Sequence, residues 1–224
     1  MFALILVAAI FGLANAQITS PGNCSSTIPV VANFDATKYL GTWYEIYAHP
    51  QVWETDLTCI TARYSPYTNA SGNAKSDLVV NNTGLLMDQT SKERKMVINI
   101  GNATIISNGK LEVQFPEINS NPPSPYWVLD TNYVSYALVY ACRNNGTNKF
   151  VSSWILSRTQ NLLAEDVVKV TAALNNVEVA AAGLSWQNYK VNDHTKEGCT
   201  ESGAGIATFT IFTVLVSSFA SKFL

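Results

Sequence analysis

The feature that most constrains this chain is a regular succession of short β-prone segments with turn residues between them and no helical pattern interrupting the series. Trp43 to Ala48 is aromatic and β-branched and starts just after Gly41; Cys59 to Tyr67, Asp77 to Val80 and Met96 to Ile100 follow. Leu111 to Phe115 alternates apolar and polar, and Tyr126 to Leu129, Tyr136 to Cys142 and Phe150 to Leu156 bring the series to about eight candidate strands. The stretches NASG, NNTG, SNGK, NPPSP and RNNGTN between them have turn compositions. Strands at this spacing, joined without crossover helices, indicate an all-β sandwich or barrel.

One segment departs from the series. Leu163, Val167, Val170, Leu174 and Val177 recur at helical spacing and predict a single helix whose apolar stripe packs against the outside of the sheet. Glu165 and Asp166 fall in its first turn, where the helix dipole favours acids. Leu184 to Tyr189 reads as a short last strand.

The ends have a different character. Phe2 to Leu13 is apolar and is followed by Ala14-Asn15-Ala16, which reads as a secretory signal over residues 1–16, cut before Gln17. At the other end, Ile206 to Leu224 is an apolar tail with Lys222 its one charge, preceded by the small residues Ser202, Gly203 and Ala204. Small residues before a terminal apolar tail form the pattern of a glycosylphosphatidylinositol (GPI) anchor signal. That reading makes 203–224 a removed segment, Ser202 the anchor residue, and residues 17–202 one lipid-tethered domain.

Charge and cysteine usage narrow the function. Without Lys222 the basic residues number 13 against 16 acids, a balance that offers nothing to a nucleic-acid backbone. Cys24, Cys59, Cys142 and Cys199 are even in number and widely spaced, which in an exported chain means two disulfides, with three possible pairings. The glycosylation sequons at Asn69, Asn81, Asn102 and Asn145, and a fifth at Asn23 crowded by Cys24, fit the same compartment. No nucleophile, phosphate-loop or dinucleotide motif occurs, no metal or cofactor site is expected, and the chain does not read as an enzyme. Asp130 and Glu45 are acids that nothing in the sequence brings together. What stands out is aromatic area: five Trp and ten Tyr in a chain with only 13% charged residues. Inward positions of a small barrel are filled by side chains or by a ligand, and rigid aromatic walls suit an apolar one.

Three blocks carry a family resemblance. Asn33-Phe34-Asp35 through Gly41-Thr42-Trp43-Tyr44-Glu45 resembles the G-x-W motif that opens the lipocalin barrel. Thr131-Asn132-Tyr133 resembles the family's T-D-Y motif with Asn for Asp, and Trp154 to Arg158 resembles its third motif, before the helix. NFDATKYLGTWYEIY, KLEVQF, PYWVLDTNYVSYALVYAC and SSWILSRTQNL are similar to the apolipoprotein D and Lazarillo branch along nearly the whole mature length. The resemblance implies an eight-stranded antiparallel up-and-down barrel with one C-terminal helix packed outside. It also implies disulfides Cys24–Cys142 and Cys59–Cys199, and structural roles at the closed end for Gly41, Trp43, Thr131, Tyr133 and Arg158. The implied partner is a small lipophilic ligand of steroid, fatty acid, retinoid or bilin type. Its pocket would include Trp127, Trp154, Phe115 and Tyr64, with Tyr47, and Asn81 as a polar contact. A glycosylated Asn81 cannot point inward, so one of its two assignments must fail. Trp53, after the first strand, is a candidate membrane-touching residue, and haem binding would need the His49 ring to face the cavity. Lazarillo-type relatives carry a GPI anchor, in keeping with the tail and with membrane attachment as the alternative basis of function, in cell guidance or adhesion.

Overall fold

The computed structural model describes residues 18–49, 51, 54, 56–67, 77–88, 90, 93–116, 123–194 and 199. The signal segment, Trp53, Asn69, Ser202 and the C-terminal tail lie outside the described residues.

Eight antiparallel strands form the wall: β2 (Gly41–Ala48), β3 (Leu57–Pro66), β4 (Leu78–Met87), β5 (Arg94–Ser107), β6 (Lys110–Gln114), β7 (Ser124–Thr131), β8 (Tyr136–Asn145) and β9 (Asn148–Ser157). Each pairs with the next in sequence, and β9 returns to pair with β2, so the sheet closes. Closure removes the exposed edges that an open sheet of this size would leave for aggregation. Two short strands cap the seam. β1 (Ile18–Pro21) continues along β9 beyond the stretch that pairs with β2, and β10 (Lys190–Val191) continues along β2 beyond the stretch that pairs with β3.

Strand alternation separates two cores. Trp43, Tyr64, Val80, Ala103, Leu111, Val113, Val128, Val139 and Leu156 point into the barrel. Leu129, Leu138, Tyr140, Val151 and Ile155 point outward and are covered by the C-terminal helical segment. That segment differs from the single helix expected. α2 (Ala164–Leu174) ends at Asn175, and the side chain of Asn176 accepts hydrogen bonds from the backbone of Glu178 and Val179, starting α3 (Val177–Ala181). A capping Asn at this point makes the chain turn, so the apolar stripe does not run straight. Val170 and Leu174 are buried against the barrel, whereas Leu163, Val167 and Val177 are exposed, and Val179, Ala182 and Leu184 complete the contact instead. Leu184 to Tyr189 is not a strand: Trp186–Asn188 forms a 3-10 turn, and the last strand is β10. A short α1 (Ala36–Tyr39), absent from the sequence reading, is capped by Asp35 through the backbone of Thr37 and Lys38.

The disulfides pair Cys24 with Cys142 and Cys59 with Cys199. They tie the N-terminal segment to β8 and the C-terminal segment to β3 across separations of 118 and 140 residues. In the chain-entropy picture, loops this long are where a crosslink restricts the unfolded chain most, each by up to about 5 kcal/mol.

The closed end is built around one indole. Trp43 is fully buried, and its Nε1–H donates to the Tyr39 carbonyl at 2.9 Å. The Arg158 guanidinium lies 3.6 Å from the Trp43 ring centroid and donates to three backbone carbonyls, of Tyr133, Thr42 and Lys38. Gly41 sits beneath it with φ +94°, a conformation that side chains resist, and a Cβ there would stand 3.3 Å from Arg158 Nη1. The β7–β8 turn is fixed by the T-D-Y-like residues. Thr131 Oγ1 accepts from the Tyr133 backbone and donates to the Tyr136 carbonyl, and the Tyr133 hydroxyl accepts from the Asp35 backbone. Asn132 replaces the family Asp without loss of capping: its Oδ1 accepts from the backbone of Val134, Ser135 and Tyr136, and its Nδ2 donates to Ser135. Arg158→Met keeps the aliphatic stem and removes the charge and all three carbonyl bonds. We expect it to lower unfolding stability by roughly 2–4 kcal/mol, read from urea midpoints. The loss should shrink in a Trp43→Phe background, because the two side chains share one contact.

Candidate functional site

The inward rows of the barrel are buried towards the Trp43 end and partly exposed further along β4 and β5. Along β4 the inward residues Leu78 and Val80 are buried, but the next inward residue, Asn82, is only partly so. Along β5 the same change separates Ala103 and Gly101 from Asn99 and Val97. The partners opposite these residues match, Val80 with Gly101 and Asn82 with Asn99, so on β4 and β5 the change occurs at one level, before Gly84 is buried again. These partly exposed inward side chains mark the less tightly filled part of the interior. Its aromatic wall is made by Trp154, Tyr126 and Phe115, all half-buried and packed on the inner core. Trp154 and Tyr126 stack with centroids 6.4 Å apart. Phe115 lies over Gly101, where a Cβ would come within 2.6 Å of its ring.

Beneath this wall a phenol cluster forms the floor. The Tyr126 hydroxyl accepts from Tyr64 at 2.7 Å and lies 3.0 Å from the Tyr39 hydroxyl. Burial above all pushes these three phenols up, so they stay neutral hydrogen-bonding groups. Two acids stand above the floor. Glu45 is paired with Leu156 on the inward face and is 6% exposed, and the Trp154 Nε1–H donates to Glu54 Oε1 at 3.2 Å. Burial first, and then repulsion from Glu54, hold the Glu45 carboxyl well above the usual carboxylate range. Asn192 Nδ2 donates to it at 3.3 Å. The acid that Glu45 meets is therefore Glu54 and not Asp130, whose carboxylate accepts from the Tyr136 hydroxyl elsewhere.

Three expected pocket residues lie elsewhere. Trp127 is adjacent in sequence to Tyr126, so it projects from the opposite face of β7. Its ring packs on the outer core with Tyr140 at 6.0 Å, under the Lys110 ammonium at 4.1 Å. Tyr47 is also outside, edge-on to Trp186 at 5.5 Å, because the register shift between Glu45 and Tyr47 resets the alternation. Asn81 stands between Arg63 and Ile100, both on the outer face, and Ile100 is 54% exposed. Its inward assignment therefore fails, and Asn82 takes the interior position. Trp154, Phe115 and Tyr64 do face inward. The sequence reading missed Tyr126, Glu54 and Asn82. The alternation that exposed Tyr126 was available: Val128 shares its face and is fully buried in the barrel.

His49 is also outside the barrel. Its ring is fully buried against Tyr189 at 4.4 Å, and neither nitrogen has a hydrogen-bond partner among the described residues. That position excludes it as a ligand to haem in the cavity. Burial brings its pKa down to about 4. Since the folded value lies below the ordinary 6.5, protons bind the unfolded chain first, and stability is lost as pH falls from 6.5 towards 4. We expect the wild type to lose about 2–3 kcal/mol more than His49→Phe between pH 7 and pH 4.5, read from paired urea titrations.

Comparison with known proteins agrees with this architecture. A family model described as a lipocalin-like domain matches residues 34–188. Apolipoprotein D of Macaca fascicularis is 37% identical over 179 residues, covering 79% of this chain and 88% of the relative. The Lazarillo protein of Schistocerca americana is 29% identical over 194 residues, covering 84% and 82%. Among solved structures, insecticyanin from the tobacco hornworm Manduca sexta superposes with a TM-score of 0.69 at 22% identity, over 88% of this chain and 98% of that one. A closed eight-stranded barrel, a Trp–Arg seal at one end and a family match over most of the chain establish that this protein belongs to the lipocalins, carriers of small hydrophobic molecules and not enzymes.

Proposed function

We propose that the chain is an extracellular carrier that binds a small lipophilic ligand, of steroid, fatty acid, retinoid or bilin type, in the less tightly filled part of its barrel. The observation that carries this reading is the half-buried wall of Trp154, Tyr126 and Phe115 above a fully packed floor. Burial of roughly 300 Å² of ligand surface at about 25 cal/mol per Å² gives on the order of 7 kcal/mol before losses, which supports micromolar affinity without an ion pair. Flat aromatic walls accept many apolar shapes, so selectivity by shape is loose.

Two disulfides support export, and the sequons Asn81, Asn102 and Asn145 occupy the outer surface or an exposed turn, where glycans fit. The apolar C-terminal tail after Ser202 supports tethering to the outer membrane face through a GPI lipid. No helix among the described residues is long and apolar enough to cross a membrane. The same tail and sequons favour, as a second reading, a surface molecule acting in cell guidance or adhesion, with ligand binding secondary.

Titration of the disulfide-bonded protein with retinol, progesterone, arachidonic acid and biliverdin, followed by Trp emission, tests the carrier reading. We expect saturable quenching that Trp154→Phe largely abolishes and Trp127→Phe leaves in place, since only the first ring lines the interior. Absence of quenching by all four ligands would leave the surface-interaction reading in front. Phosphatidylinositol-specific phospholipase C should release the protein from cells that express the full chain. Retention after a treatment that frees a control GPI protein would refute the tether.

A further inference from the structure

One edge of β2 changes partner along its length. β3 pairs with Gly41 to Tyr44 and the register goes no further, while β9 occupies the other edge as far as Ala48. On the β3 side, Lys190 and Val191 take over beside Ala48 and Tyr47. The Asn192 N–H then donates to the Ile46 carbonyl at 2.8 Å, and His194 Nε2 bonds the Glu45 carbonyl at 2.7 Å. Residues 189–194 thus lie as a strap along the wall at the level of Trp154, which pairs with Ala48 from the opposite side. Two ladder positions and a few such bonds hold the strap, and the Cys59–Cys199 bond anchors the chain beyond it.

The chain has two histidines, and both are buried at this strap. Tyr189, where the strap begins, lies edge-on to His49 at 4.4 Å, and neither His49 nitrogen has a hydrogen-bond partner among the described residues. His194 stands at the far end, edge-on to Tyr44 at 5.4 Å. A carbonyl can only accept, so its Nε2 carries the proton, and the basic nitrogen is Nδ1, buried and likewise without a partner. The titratable groups around the two rings are the Tyr189 and Tyr44 phenols, Asp193, the exposed Lys190, and the Glu45 carboxyl, which accepts from Asn192. Asp193 favours a charge on His194, but burial outweighs it, and both rings are held below the ordinary histidine range.

We propose that residues 189–194 are an acid-sensitive strap, which protonation of His49 and His194 lifts from β2, loosening the wall beside Trp154 and releasing the ligand. The proposal rests on the carrier reading and adds its regulation. A proton on either ring creates a buried N–H with no acceptor, and that N–H reaches water when the strap is off. Since burial lowers both rings, protons bind the lifted form first, and lifting grows as pH falls from 6.5 towards 4.

Hydrogen exchange of the disulfide-bonded protein, read by mass spectrometry at pH 7 and pH 5 and corrected for intrinsic rates, follows the strap in peptides spanning 186–194, with β8 as reference. We expect strap exchange to rise at least about tenfold at pH 5 while β8 stays protected. Retinol and progesterone, neither of which titrates in this range, should dissociate at least about tenfold faster. His49→Phe/His194→Gln keeps a ring against Tyr189 and an N–H for the Glu45 carbonyl, and in it both rises should shrink to about twofold or less. If the double variant does not fold, His194→Gln alone should reduce both. A strap equally protected at both pH values, protection lost together with β8, undiminished rises in a folded variant, or a lifted strap without faster ligand release each overturns the proposal and leaves the carrier standing. Absence of binding at pH 7 by these two ligands and by arachidonic acid and biliverdin overturns the carrier, and ligand release with it.

Discussion

The contact on which the rest of this structure depends is the Arg158 guanidinium laid across the Trp43 indole. An up-and-down barrel has no inherent floor; its two ends are equivalent until something closes one of them. Here the cation covers the ring face while its N–H groups collect carbonyls from α1, β2 and the β7–β8 turn, three separate parts of the chain. The stacking draws on the ring quadrupole, and the carbonyl bonds satisfy backbone groups that closure would otherwise leave unpaired. Gly41 suits its place because a side chain would be strained at its φ of +94° and its Cβ would crowd the nearby Nη1 at 3.3 Å.

Closing one end has a consequence for the other. The floor is packed with Trp43, Tyr39 and Tyr64 and satisfied by its own hydroxyl network, so it is stable without a ligand. The upper wall is relieved of that structural duty and keeps half-buried aromatic rings and polar groups that a core would not accept. Outside, the C-terminal helices perform the covering role that a second layer performs in other folds, and the Cys59–Cys199 bond holds the following segment in place.

Much of this was legible beforehand. Eight strands, the motif residues of the closed end and the cysteine content all follow from local patterns, and the family resemblance supplied the pairing of the disulfides. The failures share a cause. Side chains on a strand alternate with period two, so choosing the wrong face sends every residue to the other side of the wall, as happened for Trp127 against Tyr126. Tyr47 fell to a bulge in β2 that no composition signals, and Asn81 to its neighbour Asn82, which is chemically identical and one position along. The helix was misread because Asn176 breaks it only through a cap formed in the folded chain.

The sequence by itself determined the class of fold, the closed-end motif and an even set of widely spaced cysteines, because each is encoded in local periodicity, in short motifs or in residue content. Only the tertiary structure decided which aromatic rings line the interior, that Glu45 meets Glu54 rather than Asp130, and that His49 is sealed outside the barrel. Those facts depend on register, bulges and the course of long loops, which set which face a side chain takes and which distant group it meets.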